Sequence, residues 1–168
     1  VSKFLELIDK TSDWTGRIFS AAFVVASVVV VYAVIMRYLF NRPTVWGLEL
    51  TIYLCGATYL MGGAYAEYFN AHIRIDTVYD RLPLRMRLIV DLVLTAPLLF
   101  FFCVMLIWTS GEWAWEALVT WERSMTLWNP IIWPMRALIP IGTFLLLLQG
   151  LARFIRNLEA LRSLKARP

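Results

Sequence analysis

The sequence predicts an all-α integral membrane protein with four transmembrane helices and cytoplasmic N and C termini, and three observations carry that expectation. First, the 168 residues are 60% hydrophobic and only 17% charged, with a mean hydropathy of +0.66. A water-soluble chain of this size and balance would precipitate, so much of the apolar surface faces lipid. Second, charge-free runs of 19, 17, 20 and 16 residues occupy Ile18 to Met36, Leu50 to Ala66, Leu92 to Gly111 and Ala137 to Ala152. Crossing the ~30 Å hydrocarbon takes roughly 20 mostly apolar residues, and flanking aromatics lengthen the two shorter runs. Third, 12 of the 16 Lys and Arg residues lie in the N-terminal segment, the second connector and the C-terminal tail, which the positive-inside rule places in the cytoplasm. The net charge of +4 is thus a topology signal and points to no nucleic-acid partner. No polar block exceeds about 25 residues, so residues 1–168 are expected to form a single membrane domain.

The first helix is expected over 15–38. It is Val-rich and shows no small-residue cleavage pattern, which marks it as an anchor and not a removable signal peptide. A short periplasmic connector, 39–46, leads to a second helix over 47–69. On a helical wheel Glu49, Gly56, Gly63 and Glu67 fall within about 40° of one another, with Tyr53 and Leu60 beside them. Glycine lets backbones approach closely where lipid supplies no hydrophobic drive between helices. Glu49, Tyr53, Gly56, Leu60, Gly63 and Glu67 are therefore expected to form a packing or partner seam. A carboxylate in a membrane helix is a functional suspect. However, the 18 residues between Glu49 and Glu67 span about 27 Å, which sets them at the two headgroup levels. There they are expected to pair with Arg37 or Arg42 outside and with an arginine of the second connector inside; a proton or ion site is the alternative.

The cytoplasmic connector, 70–87, holds the single histidine. His72, Arg74 and Asp76 read as a solvated loop before a helix start marked by Pro83. His72 and Asp76 share the i, i+4 spacing of a ligand pair, but no third ligand stands near, and two do not make a metal site. The third and fourth helices are expected over 88–111 and 130–154, kinked at Pro97 and Pro140. Between them lies a periplasmic connector, 112–129. Around it, the stretch WTSGEWAWEALVTWERSMTLWNPIIW gathers six of the eight tryptophans with Glu112, Glu116 and Glu122. Tryptophan favours the membrane interface, so this is an aromatic belt; alternatively Trp113, Glu116, Trp121 and Glu122 form a rim that receives a periplasmic protein.

What the spans lack excludes much. Their mid-helix polar groups are Ser27, Thr51, Thr58, Thr95 and Thr143, with Gln149 near one end, whereas a transporter of charged solutes usually carries broken helices and ionisable groups near the bilayer centre. Cys55 and Cys103 are isolated, which suits apolar packing and not redox chemistry. One loop histidine cannot ligate a haem twice or complete a Ser-His-Asp triad. No catalytic, cofactor-binding or metal residue is expected, and the chain does not read as an enzyme.

The run RYLFNRPTVWGLELTIYLCGATYLMGGAYAEYFNAHIRIDTVYDRLP, Arg37 to Pro83, resembles the small membrane subunit, the DctQ-like or Q subunit, of tripartite ATP-independent periplasmic (TRAP) transporters. The resemblance rests on Arg37, Tyr38 and Phe40 after the first helix, Trp46 and Glu49 opening the second, Gly63 and Ala64 near its end, and His72, Arg74 and Asp76 before Leu82 and Pro83. Ser124, Trp133 and the IPIG segment, Ile139 to Gly142, extend it. The resemblance implies a multi-pass subunit of a bacterial inner membrane that lacks catalysis and scaffolds a large M-type permease subunit. It also implies docking of a periplasmic P-type substrate-binding protein, contact with membrane lipids, and sodium-coupled uptake of an organic acid. A stand-alone four-helix exporter or an assembly factor is the other reading. Multidrug exporters of that size depend on a carboxylate within the first helix, and Ile18 to Met36 has none.

Overall fold

The computed structural model describes residues 2–69 and 82–165, and these fold into four helices: α1 (Ser2–Tyr38), α2 (Gly47–Tyr68), α3 (Leu84–Val119) and α4 (Trp133–Lys165). No strand occurs among the described residues; one isolated antiparallel bridge joins Arg123 to Ile131.

The helices outrun the apolar runs. α1 begins at residue 2 because Leu5 and Ile8 share one face and are buried against Ala152, with Leu148 and Ile155 of α4 around them. Its 37 residues extend about 55 Å, well beyond a hydrocarbon core. α3 stays helical to Val119, so Trp113 and Glu116 lie on a helix and not in a connector. α4 starts three residues later than expected, since Asn129 takes φ 51° just before Pro130.

The expectation of four apolar spans is corrected to three. Leu5–Tyr38, Leu84–Val119 and Trp133–Leu164 are long and apolar enough to cross a membrane. α2 has 22 residues, about 33 Å, but its glycines, threonines, tyrosines and two glutamates dilute its hydropathy. The packing explains why that composition is tolerated: α2 contacts both α1 and α4, while α1 and α3 lie at the edges. The order across the protein is α1, α2, α4, α3, an open row. Its accessible surface of 11876 Å² exceeds the roughly 8,500 Å² of a compact soluble monomer of this mass. The excess is apolar, with Val24, Val28, Val31 and Ile35 exposed on α1 and Leu98, Phe101, Met105 and Trp108 on α3.

α3 contains a π turn, Asp91–Thr95, immediately before Pro97. Proline cannot donate to the carbonyl four residues back and its ring crowds that carbonyl. Widening the preceding turn absorbs both conflicts inside a continuous helix. The two chain ends meet at one end of the row, where Leu5 and Ile8 pack on α4. The α1–α2 turn and the α3–α4 connector share the other, the turn end.

Candidate functional site

The polar side chains of the described residues gather into one cluster at each end, with an apolar interior between. At the terminal end, Asp9 of α1 accepts a hydrogen bond from Gln149 Nε2 at 3.0 Å and pairs with Arg156, both of α4. Ser12 Oγ donates to Gln149 Oε1 at 3.2 Å, and both residues are fully buried. Glu67 of α2, 6% exposed, accepts from Arg153 Nη1 at 2.7 Å. Arg153 also reaches Asp91, the first residue of the π turn, at 3.9 Å, and Asn157 Nδ2 donates to Asp91 at 3.3 Å. All four helices are thereby tied through α4. Glu67 occupies the expected end of its helix, and one of its partners is Arg153 of the last helix.

At the turn end Glu49 accepts from Tyr53 Oη at 3.1 Å and from Thr126 Oγ1 at 2.6 Å. Neither Arg37 nor Arg42 is its partner, because the α3–α4 connector folds back over it. That connector is a small pinned hairpin: the Ser124 N–H donates to the Pro130 carbonyl and the Ile132 N–H to the Glu122 carbonyl. Glu122 accepts from Arg136 Nη1 at 2.6 Å and from Nη2 at 2.9 Å. Glu122 is thus a brace for the connector, while Trp121, with φ 50°, is exposed at its base. A bulky side chain in the left-handed region costs about 1–2 kcal/mol. The hairpin tip carries Met125 and Leu127, both fully exposed. Trp113 and Glu116 lie nearby on the exposed face of α3.

Between the clusters, Ser27, Thr51, Thr58, Thr109, Ser110 and Thr143 each donate to the carbonyl four residues earlier. Thr58 also reaches the Phe19 carbonyl of α1, at 3.0 Å. Every one of these hydroxyls is satisfied by backbone and offers no lining to a polar path. No group of three potential metal ligands occurs among the described residues.

The expected seam splits in two. A Cβ at Gly56 would meet the Met135 methyl at 2.4 Å, and one at Gly142 would meet the Leu60 carbonyl oxygen at 2.8 Å. Tyr53, Gly56, Leu60 and Glu67 therefore serve contacts inside the chain. Gly63 and its neighbour Gly62 have nothing within 4 Å of such an atom, and exposed Ile52 and Tyr59 lie on the same stripe as Gly63. Of the other signature positions, Arg37, Tyr38 and Phe40 are exposed at the end of α1, and Trp46 stacks on Tyr32 with ring centroids 5.8 Å apart. His72, Arg74 and Asp76 lie outside the described residues. Sequence reasoning missed Asp9, Ser12, Asp91, Arg153, Arg156 and Asn157 as a cluster. The available signal was Gln149 in an apolar run, a buried amide that needs a partner.

A family profile described as "Tripartite ATP-independent periplasmic transporters, DctQ component" matches residues 12–160. The chain is also similar to the C4-dicarboxylate TRAP transporter small permease protein DctQ of Vibrio cholerae serotype O1, with 36% identity over 92 residues. That alignment covers 54% of this chain and 38% of the relative's length.

Proposed function

Because the chain belongs to the DctQ component family of tripartite ATP-independent periplasmic transporters, we propose that it scaffolds a large M-type permease subunit while that subunit carries an organic acid inward with sodium. The protein is a multi-pass component of the inner membrane. The observation that carries the proposal is the apolar interior: charges sit at the two ends, the hydroxyls of Ser27, Thr51, Thr58 and Thr143 are spent on backbone while Thr95 lies beside the terminal cluster, and an acid therefore needs a companion to cross. The open row supports the same reading, since it leaves two broad apolar faces for lipid and a partner. In this arrangement α2 is the fourth crossing, with its polar groups shielded by α1 and α4.

The distribution of Lys and Arg puts both termini in the cytoplasm and the turn end in the periplasm. There the hairpin tip at Met125 and Leu127, with Trp113, Glu116 and Trp121 around it, is a docking surface for the P-type substrate-binding protein. Glu122 contributes by holding the hairpin. The name of the Vibrio relative favours a C4-dicarboxylate as cargo, but the choice of solute belongs to the other two subunits. The experiment is affinity purification of the tagged chain from membranes that also express the neighbouring multi-span protein. A stoichiometric large membrane subunit is expected in the eluate; its absence would refute the scaffold.

A further inference from the structure

We propose that the cleft between the last turns of α1 and the start of α2 binds one acyl chain of a phospholipid whose net-negative headgroup is held by Arg37. The cleft encloses about 300 Å³ and is walled by Val30, Ala33 and Val34 of α1 and by Leu48 and Thr51 of α2, with Arg37 at its edge. The two helices approach closely along it: a Cβ on Gly47 would sit 3.0 Å from the Ala33 Cβ. Thr51 adds little polarity, because its hydroxyl is committed to the Gly47 carbonyl at 2.8 Å.

The cleft is apolar and open along one side, which suits an extended acyl chain; a helix of the large subunit is the competing occupant. Charge decides the headgroup. Arg17, Arg136, Arg153 and Arg156 each have a carboxylate partner; among the described residues Arg37 and Arg42 have none within ion-pair distance, nor do Arg85, Arg123 and Arg162, and of these five Arg37 is the one that borders the cleft. Asn41, with φ 51°, turns the chain so that Arg37 and Arg42 stay at one end of the row. An unneutralised guanidinium at the edge of an apolar slot, Arg37, suits a phosphodiester, which it can hold through two parallel N–H donors. The Tyr32–Trp46 stack between the same two segments is of the kind that settles at headgroup level.

The test is native mass spectrometry of the full chain, alone and with its co-purified large subunit, after addition of phosphatidylglycerol or phosphatidylethanolamine. One phosphatidylglycerol per chain is expected in both preparations, with phosphatidylethanolamine held less. Arg37→Gln, at an exposed helix end, is expected to lower retention about tenfold through loss of a charge-assisted contact. Val34→Trp, at an exposed wall position, fills the slot and leaves the charge; it is expected to lower retention as much, while Arg17→Gln at the other end changes nothing. Equal retention by wild type and both cleft variants overturns the proposal, as does a cleft that loses its lipid whenever the large subunit is present.

Discussion

Arg153→Met is expected to lower the unfolding free energy of the purified chain by about 1–3 kcal/mol, the cost of leaving buried polar groups one hydrogen-bond partner short. Glu67 is 6% exposed and the Arg153 side chain 18%, so water is poorly placed to replace the guanidinium. The same substitution also strips a positive charge from the vicinity of Asp91, which loosens α3 as well as α2. A titration with denaturing detergent, followed by circular dichroism, reads the loss. Glu67→Met combined with Arg153→Met is expected to recover much of it, because an apolar pair of similar size carries no desolvation penalty. A single variant as stable as wild type would show that the terminal cluster does not bind the row together.

Two glycine substitutions are expected to separate folding from assembly. Gly142→Leu places an atom 2.8 Å from a backbone oxygen of Leu60, and backbone cannot step aside as a flexible side chain does. The expected cost is about 1–3 kcal/mol or more from overpacking, seen in the same titration of the chain alone. Gly63→Leu meets nothing within 4 Å and is expected to change the stability of the isolated chain by no more than about 0.5 kcal/mol. It is nevertheless expected to abolish co-purification of the large subunit, since Gly63 offers a close approach to a helix from outside the chain. Normal co-purification with Gly63→Leu would move the partner contact to another face.

Long-range organisation was legible in the sequence where periodicity and charge act alone. Apolar runs located the helices, the Glu49 to Glu67 spacing set those carboxylates at opposite ends of α2, and the shortage of mid-span charge foretold an apolar interior. The count of apolar spans was overestimated at α2, because a charge-free run was equated with an apolar one. Its glycines, threonines and tyrosines are acceptable inside the row and dilute its hydropathy below that of the edge helices. Partner choice was also out of reach. Asp9 meets Gln149 and Arg156 across some 140 residues, and Glu49 meets Thr126 across 77. Such pairings depend on how α4 returns past α1 and on how the hairpin folds over α2, which no local pattern encodes. The π turn before Pro97 is intermediate: the proline announces a disturbance, but a kink and a widened turn are equally good local answers, and the tie from Asp91 to α4 accompanies the second.

The central claim is that the interior of this chain conducts nothing and that cargo crosses through a companion. Its most direct test is sodium-driven uptake of a radiolabelled C4-dicarboxylate into liposomes holding the purified chain alone, compared with liposomes holding it with the large subunit and the binding protein outside. Uptake by the chain alone is expected to equal that of empty liposomes, and uptake is expected only in the complete system. Gradient-driven accumulation by the chain alone would contradict the claim.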